Sequence, residues 1–261
     1  MPEGHTIHRA ARDLSQVLVE QPVYVMSPQG RFSREAATLD GLHCQSVEAY
    51  GKHIVIGFEG SRWLHIHLGL FGHIHSCKLP LRSPKGAVRV RLVSSTHYVD
   101  VNGPTICTII NRTGLDHLIG RIGPDVLRDD ADAVRAIDRI DKSRAPIGRL
   151  LMDQSVIAGI GNIYRTELLW RARIHPNIQG KQIGRENLEA LWQDAKKLLK
   201  IGVEQNAIIT VMDGTRSSSR YGERVNIFGK TNCPTCGCSV HRLEINGRRA
   251  FICEICQPLK D

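Results

Sequence analysis

Nowhere in its 261 residues does the chain reach the roughly 20 consecutive apolar positions that a membrane-spanning helix needs, so no bilayer span is expected. The amino terminus, MPEGHTIHRAARD, lacks the hydrophobic run of a secretory signal. The protein is therefore expected in the cytoplasm, and on the nucleoid if its source is bacterial. Internal repeats and low-complexity tracts are missing as well, which excludes solenoids and propeller arrays. Acidic residues are in deficit, 26 against 35 Lys and Arg, and the formal charge of +9 suits a polyanionic partner, although a solvated basic face would read the same way. Cysteine is scarce before position 233, with only the scattered Cys44, Cys77 and Cys107. Such scatter offers no disulfide framework, and the crowding of Cys233, Cys236, Cys238, Cys253 and Cys256 points to metal ligation in a reducing compartment.

Hydrophobic and charged residues, at 41% and 23%, are in ordinary globular proportion, and the length allows two modest cores. Ile7, Ala11, Leu14 and Leu18 recur at helical spacing, predicting an amphipathic helix that pins the amino terminus to the fold. Strand-like runs follow at Val23 to Met26, Cys44 to Tyr50, His53 to Phe58, Trp63 to His67 and around Val88, Val90 and Leu92. The first 122 residues thus read as a β-sandwich domain with one leading helix. An Asp-rich stretch over 123–143 reads as a linker. Helical periodicity at Pro146 to Met152, Asn162 to Ala172 and Glu186 to Val203 predicts a helical domain over 144–225. The Gly-, Ser- and Arg-rich segment from Gly214 to Arg224 reads as a mobile loop, and a cysteine hairpin over 226–261 closes an α+β architecture.

Three constellations carry chemistry. Cys233-Pro-Thr-Cys236 and Cys253-Glu-Ile-Cys256, with 16 residues between them, have the spacing of a closed tetrahedral zinc site, in which four thiolates leave no open catalytic position. Cys238 is left over and reads as a buried or edge thiol. Asn246-Gly247 between the knuckles suits a tight hairpin turn whose tip presents Arg248 and Arg249. Seven Lys or Arg against two Glu from Gly214 to Ala250 make this region a candidate phosphate clamp, or simply a solvated basic loop. The second constellation, QSVIAGIGNIY from Gln154, sets Gly159 and Gly161 before a helix start, where backbone amides and the Asn162 side chain can donate to a DNA phosphate. Glycine turns between helices are also common without a ligand. The third is Met1-Pro2-Glu3-Gly4. Removal of Met1 would leave a secondary amine with a pKa of roughly 8, able to attack the anomeric carbon of a deoxyribose. Glu3 could then shuttle protons. Pro and Glu are also ordinary residues for a first helical turn.

The MPEG start, the Tyr50-Gly-Lys52-His53 element, the run AGIGNIYRTELLWRARIHP from Ala158, and the cysteine hairpin with Arg248 five residues before Cys253 occur in one order along nearly the whole chain. Together they resemble the formamidopyrimidine-DNA glycosylase and endonuclease VIII family. The resemblance implies a helix-two-turn-helix domain and a monomeric base-excision enzyme acting on damaged double-stranded DNA. Such an enzyme removes oxidised bases and nicks the strand by β- and δ-elimination. It implies Pro2 as the Schiff-base nucleophile, Glu3 as general acid, Lys52 as a DNA contact required for catalysis, and one structural zinc ion. Asn162 and Arg248 would grip the phosphates flanking the lesion, Arg248 also assisting δ-elimination. Leu70 and Phe71 would fill the gap left by the extruded nucleotide. Thr6 stands where the family often has a second Glu, and the Arg and Phe wedge of the purine-preferring branch is missing near Asn102-Gly103-Pro104. The missing wedge, with Leu70 and Phe71 together, favours the endonuclease VIII branch and oxidised pyrimidines, while Thr6 leaves the second carboxylate's part in lesion handling unfilled. Two other readings share these residues: an enzyme that is mainly an abasic-site lyase, and a non-catalytic damage-binding module, which would not need Pro2, Glu3 and Lys52.

Overall fold

The computed structural model describes residues 2–211 and 221–259, and the chain divides into two compact units, Met1–Arg121 and Ile122–Asp261. In the first unit helix α1 (Gly4–Leu18) leads into β1 (Gln21–Met26), α2 (Ser33–Leu39), β2 (Leu42–Tyr50), β3 (His53–Phe58) and β4 (Arg62–His67). Then come β5 (His73–Lys78), β6 (Val88–Val93), β7 (His97–Asn102), β8 (Ile106–Ile110) and α3 (Arg112–Arg121). The strands are antiparallel in the order β5-β7-β6-β1-β2-β3-β4-β8. Strand β1 makes the sandwich possible. Its first half, Gln21 to Val23, pairs with β2, and its second half, Tyr24 to Met26, pairs with β6, so one strand passes from one layer to the other.

As its spacing requires, α1 buries Ile7, Ala11, Leu14 and Leu18, which join Ile54, Ile56, Leu64 and Ile66 from β3 and β4 in the core. The Glu3 carbonyl accepts the Thr6 amide at 3.0 Å and the Ile7 amide at 3.3 Å, so the chain enters the helix directly after Pro2. A buried pair of β6 and β7, Arg91 and Asp100, is bidentate at 2.6 and 2.7 Å, and Arg91 also donates to the Arg82 carbonyl. Strands β5, β7 and β8 and helices α2 and α3 were not anticipated from the sequence.

The second unit contains α4 (Ala133–Asp141), α5 (Ile147–Leu150), α6 (Asn162–Arg171), α7 (Arg185–Gln205), α8 (Tyr221–Arg224) and the hairpin β9 (His241–Ile245) and β10 (Arg248–Ile252). The 123–143 segment is not a linker. Asp132 caps α4 through the Arg135 amide at 3.0 Å, and Val126, Ala136, Ile137 and Ile140 lie in the same core as Leu188, Trp192 and Leu199 of α7. Of the aspartates that suggested a linker, Asp132 caps α4, Asp125 is buried and accepts the Leu127 amide, and Asp129, Asp130 and Asp132 are exposed, while Val126, Ala136, Ile137 and Ile140 point inward and Val134 stays exposed. Met1, and with it the question of its removal, lies outside the described residues, as does most of the expected loop (214–220).

Candidate functional site

In the first unit the candidate residues lie at the entry to α1, in the β2–β3 turn and in the β4–β5 turn. Pro2 is half-buried and Glu3, next along the chain, is fully buried. Lys52 sits in the β2–β3 turn, which Gly51 closes at φ +58°. Sequence reasoning passed over what stands beside it. Strand pairing sets His53 opposite His67, and His65 two residues away on the same face. The Nδ1 of His53 and Nε2 of His65 are 2.8 Å apart, and the rings of His53 and His67 lie 4.6 Å apart. Burial, then His67, His65, Arg121 and Lys52, push His53 down to about 3. Burial, Arg121 and His67 push His65 down to about 4, and His67 is lowered by burial, Lys52 and Arg121. Near neutral pH the imidazoles are uncharged and the positive charge of this face belongs to Lys52 and Arg121.

The tautomer of His67 follows from its contacts. Its Nδ1 accepts the Gly69 amide at 3.2 Å, so a neutral ring carries its proton on Nε2. Thr105 Oγ1, 2.9 Å from the same Nδ1, holds the ring from the other side. Beyond it the chain turns sharply: Gly69 has φ +67°, where a side chain would collide with Thr105, and the Gly72 amide donates to the Leu68 carbonyl at 3.0 Å. This turn projects Leu70, 49% exposed, and Phe71, 89% exposed, away from the protein. Two large apolar side chains at one exposed turn are costly in water and suit insertion into a base stack.

In the second unit, Asn162 opens α6 and its side chain donates to the Arg249 carbonyl at 3.0 Å, while its Oδ1 accepts from Arg165. The structure therefore brings Asn162 to the hairpin strand that starts with Arg248. Gln154 shapes the preceding turn: its amide nitrogen donates to the Met152 and Ile160 carbonyls, and its oxygen accepts the Gly159 amide at 3.1 Å. Gly159, at φ +90°, permits that turn. Asn246 at φ +51° and Gly247 at φ +68° form the hairpin turn, and Arg248 pairs with Ile245 as the first residue of β10.

Two buried polar residues that sequence reasoning missed hold these parts together. Glu167 of α6 accepts the amides of Asn226, Ile227 and Phe228 at 2.7 to 2.9 Å, as well as the Thr210 hydroxyl. Gln257 accepts the Cys253 amide at 3.1 Å and donates to the Ile174 carbonyl at 2.9 Å. The only sequence signal for Glu167 was a carboxylate within a helix buried on nearly every side.

Cys233, Cys236, Cys253 and Cys256 have sulfurs all within 4.8 Å of one another, and this group could hold a metal ion. The Cys233–Cys256 and Cys236–Cys253 sulfurs are 3.7 and 3.4 Å apart. A tetrahedral ion about 2.3 Å from each sulfur calls for separations of about 3.8 Å, so the donors fit. Burial opposes ionisation of Cys233, yet the amides of Cys236 and Thr235 outweigh it and bring the thiol down to about 6. Trp170, Ile227 and Phe251 pack around the cluster.

Residues 1–105 match the formamidopyrimidine-DNA glycosylase N-terminal domain, and residues 122–213 match the H2TH domain of the same glycosylases. The chain belongs to the formamidopyrimidine-DNA glycosylase and endonuclease 8 family. Within it, the chain is 40% identical over 267 residues to endonuclease 8 1 of Mycobacterium tuberculosis, covering 98% of this chain and all of that protein. It is 31% identical over 236 residues to the formamidopyrimidine-DNA glycosylase of Thermomicrobium roseum, covering 82% and 81%. The fold matches that of Lactococcus lactis Fpg, solved in complex with abasic-site DNA, with a TM-score of 0.82 at 21% identity over 99% of this chain and 100% of that one. Among the described residues no helix is long and apolar enough to cross a membrane.

Proposed function

We propose that this protein is a base-excision DNA glycosylase and abasic-site lyase that removes oxidised bases, pyrimidines in preference to purines, from double-stranded DNA. The observation that carries the reading is the placement of Pro2 directly before α1 with the buried carboxyl of Glu3 beside it in the chain. With Met1 removed, the neutral Pro2 amine attacks C1′, the base leaves with a proton supplied by Glu3, and the sugar ring opens to an iminium. That cation draws electrons from the C2′–H bond, and the 3′ phosphate departs by β-elimination. Lys52 and the Nε2–H of His67 face the DNA backbone as donors. Leu70 and Phe71 occupy the gap in the stack.

In the second unit Asn162 and Arg248 grip the phosphates next to the lesion, and Arg248 assists δ-elimination of the remaining sugar fragment. Cys233, Cys236, Cys253 and Cys256 would hold a single zinc ion with a structural part, fixing the hairpin through four thiolates. The carbonyl of Arg249 and the side chain of Asn162 then meet in one geometry. The exposed pair Leu70 and Phe71, and the absence of Arg and Phe near Asn102, favour pyrimidine lesions. Thr6 favours a second reading, an enzyme chiefly active on abasic sites, since a hydroxyl cannot supply what a carboxylate does in lesion handling.

Borohydride reduction separates these readings from a passive DNA binder. Correctly processed enzyme should be locked covalently to abasic DNA with the sugar on Pro2. Adducts on Lys52, or none on any abasic substrate, would overturn the mechanism. A panel of damaged bases then separates glycosylase from lyase.

A further inference from the structure

The cysteine hairpin carries one thiol more than the metal needs. Cys238 follows Cys236 by two residues, and both are exposed, whereas Cys233 and Cys253 are buried. The knuckle folds Cys238 back on the cluster: the Cys233 amide donates to the Cys238 carbonyl at 2.8 Å, and the Gly237 amide donates to the Cys233 carbonyl at 2.9 Å. Gly237, at φ +75°, makes this reversal possible. Cys238 Sγ lies 3.8 Å from the Cys236 carbonyl, so the spare thiol is folded back onto the residue that carries the exposed ligand. Cys238 is not among the four residues whose sulfurs could hold the metal, and it contributes nothing to the apolar packing beneath the hairpin. The side of the cluster open to a small solute is therefore the Cys236–Cys238 side.

We propose that Cys236 and Cys238 form an oxidation site, a dithiol that closes to a disulfide under peroxide and thereby withdraws Cys236 from the metal. The proposal rests on the zinc reading above. In the first step the peroxide O–O bond breaks, one oxygen bonds to Cys238 sulfur as a sulfenic acid, and the other leaves as water with the thiol proton. In the second step Cys236 thiolate attacks that sulfur, the S–S bond forms, the S–O bond breaks, and hydroxide takes a solvent proton to leave as a second water. Overall, two thiols and one peroxide give a disulfide and two waters. Only the thiolates of Cys233, Cys253 and Cys256 would then remain to hold the metal, and its affinity would fall until it is released. With it goes the order of the strand that carries Arg248 and the Arg249 carbonyl.

The test uses the full-length zinc-loaded protein and its Cys238→Ser variant, each exposed to hydrogen peroxide, with zinc release followed by a chromogenic chelator. The native protein should release its zinc and regain binding capacity after thiol reduction, and peptide mapping should find a disulfide joining Cys236 and Cys238. Cys238→Ser should hold one zinc as tightly as the native chain and lose it about tenfold more slowly, because the metal shields the remaining thiolates, burial adds to this at Cys233 and Cys253, and exposed Cys236 has lost its disulfide partner. Equal release rates, a disulfide between any other pair, or a Cys238→Ser protein without zinc would each overturn the proposal. A native protein that never binds zinc would overturn the metal reading instead, and disulfide mapping would still judge the Cys236–Cys238 pair.

Discussion

The side-chain amide of Asn162 donates to the main-chain carbonyl of Arg249 across 3.0 Å, joining the start of α6 to the hairpin 87 positions further along the chain. That bond holds Asn162, one proposed phosphate ligand, against the residue that follows the other, Arg248. Their substitutions should nevertheless differ. Arg248→Ala removes a cation, so the slope of log K against log salt should flatten by about one unit. Asn162→Ala removes a neutral donor and should weaken binding by about 1 kcal/mol with the salt slope unchanged. Affinities measured across a salt series check both, and an unchanged slope for Arg248→Ala would move the contact to Arg249.

Removing one ligand should dismantle the hairpin selectively. Cys233→Ser should lose the metal and tight DNA binding while far-ultraviolet dichroism keeps most of its helical signal, because α4, α6 and α7 have their own core and the hairpin is too small to fold alone. Metal analysis and dichroism on one preparation decide the matter. Full zinc occupancy in that variant would refute the ligand set.

Much of this was legible in the sequence. The α1 heptad-like spacing, the knuckles and the Asn-Gly turn are local signals, in which residue type fixes backbone geometry within a few positions. The elements missed have weak local signals. Strand β5 is a polar edge strand, His-Ile-His-Ser-Cys-Lys, whose pairing with β7 depends on partners from Lys78↔His97 out to His73↔Asn102, remote in sequence. Strand β7 buries nearly every residue and so lacks the alternation that marks a half-exposed strand. The Asp-rich stretch misled because composition was read instead of period: its apolar residues at 126, 136, 137 and 140 are the core face of α4 and its lead-in. Glu167, Gln257 and the histidine cluster act through partners distant in sequence, and no local pattern announces them.

The histidine cluster gives the first unit an acid limit. The folded-state pKa values of His53 and His65, about 3 and about 4, lie below the ordinary value of 6.5, and burial likewise brings His5 down to about 4. Below pH 6.5 the unfolded chain binds protons that the folded chain refuses, so stability is fully present above that pH and falls as pH drops toward 4. Thermal unfolding between pH 7 and pH 4 should show a decreasing midpoint. Replacing His65 by Gln, which cannot titrate, should flatten that decrease. An identical pH profile in His65→Gln would mean that the cluster does not govern acid stability.

Leu70 and Phe71 are exposed by a turn built from Gly69, Gly72 and the His67–Thr105 contact, so their truncation should leave folding intact. Leu70→Ala and Phe71→Ala should each slow excision of a damaged base from duplex DNA by about tenfold, equivalent to roughly 1.4 kcal/mol of lost insertion. Activity on a single-stranded abasic substrate, which has no opposing stack to fill, should change much less. Equal losses on duplex and single-stranded DNA would remove both residues from the wedge role.

The sharpest division of labour concerns Glu3. Base departure needs a proton delivered as the glycosidic bond breaks, and a buried carboxyl beside the nucleophile can deliver it; once the base has gone, the iminium itself activates the C2′ proton. Glu3→Gln keeps the size and shape of the side chain but cannot give up a proton at neutral pH. Single-turnover excision of an oxidised pyrimidine should therefore fall by about a hundredfold or more, within the usual range for loss of a general acid. Cleavage at a preformed abasic site, and borohydride trapping there, should fall by no more than about tenfold, since the Pro2 amine and the electron sink are untouched. The ratio of the two rates is the informative quantity, because a merely structural defect would depress both together. If excision and abasic cleavage decline in parallel, Glu3 holds the amino terminus in place and the acid must be sought elsewhere, with Lys52 the first group to test.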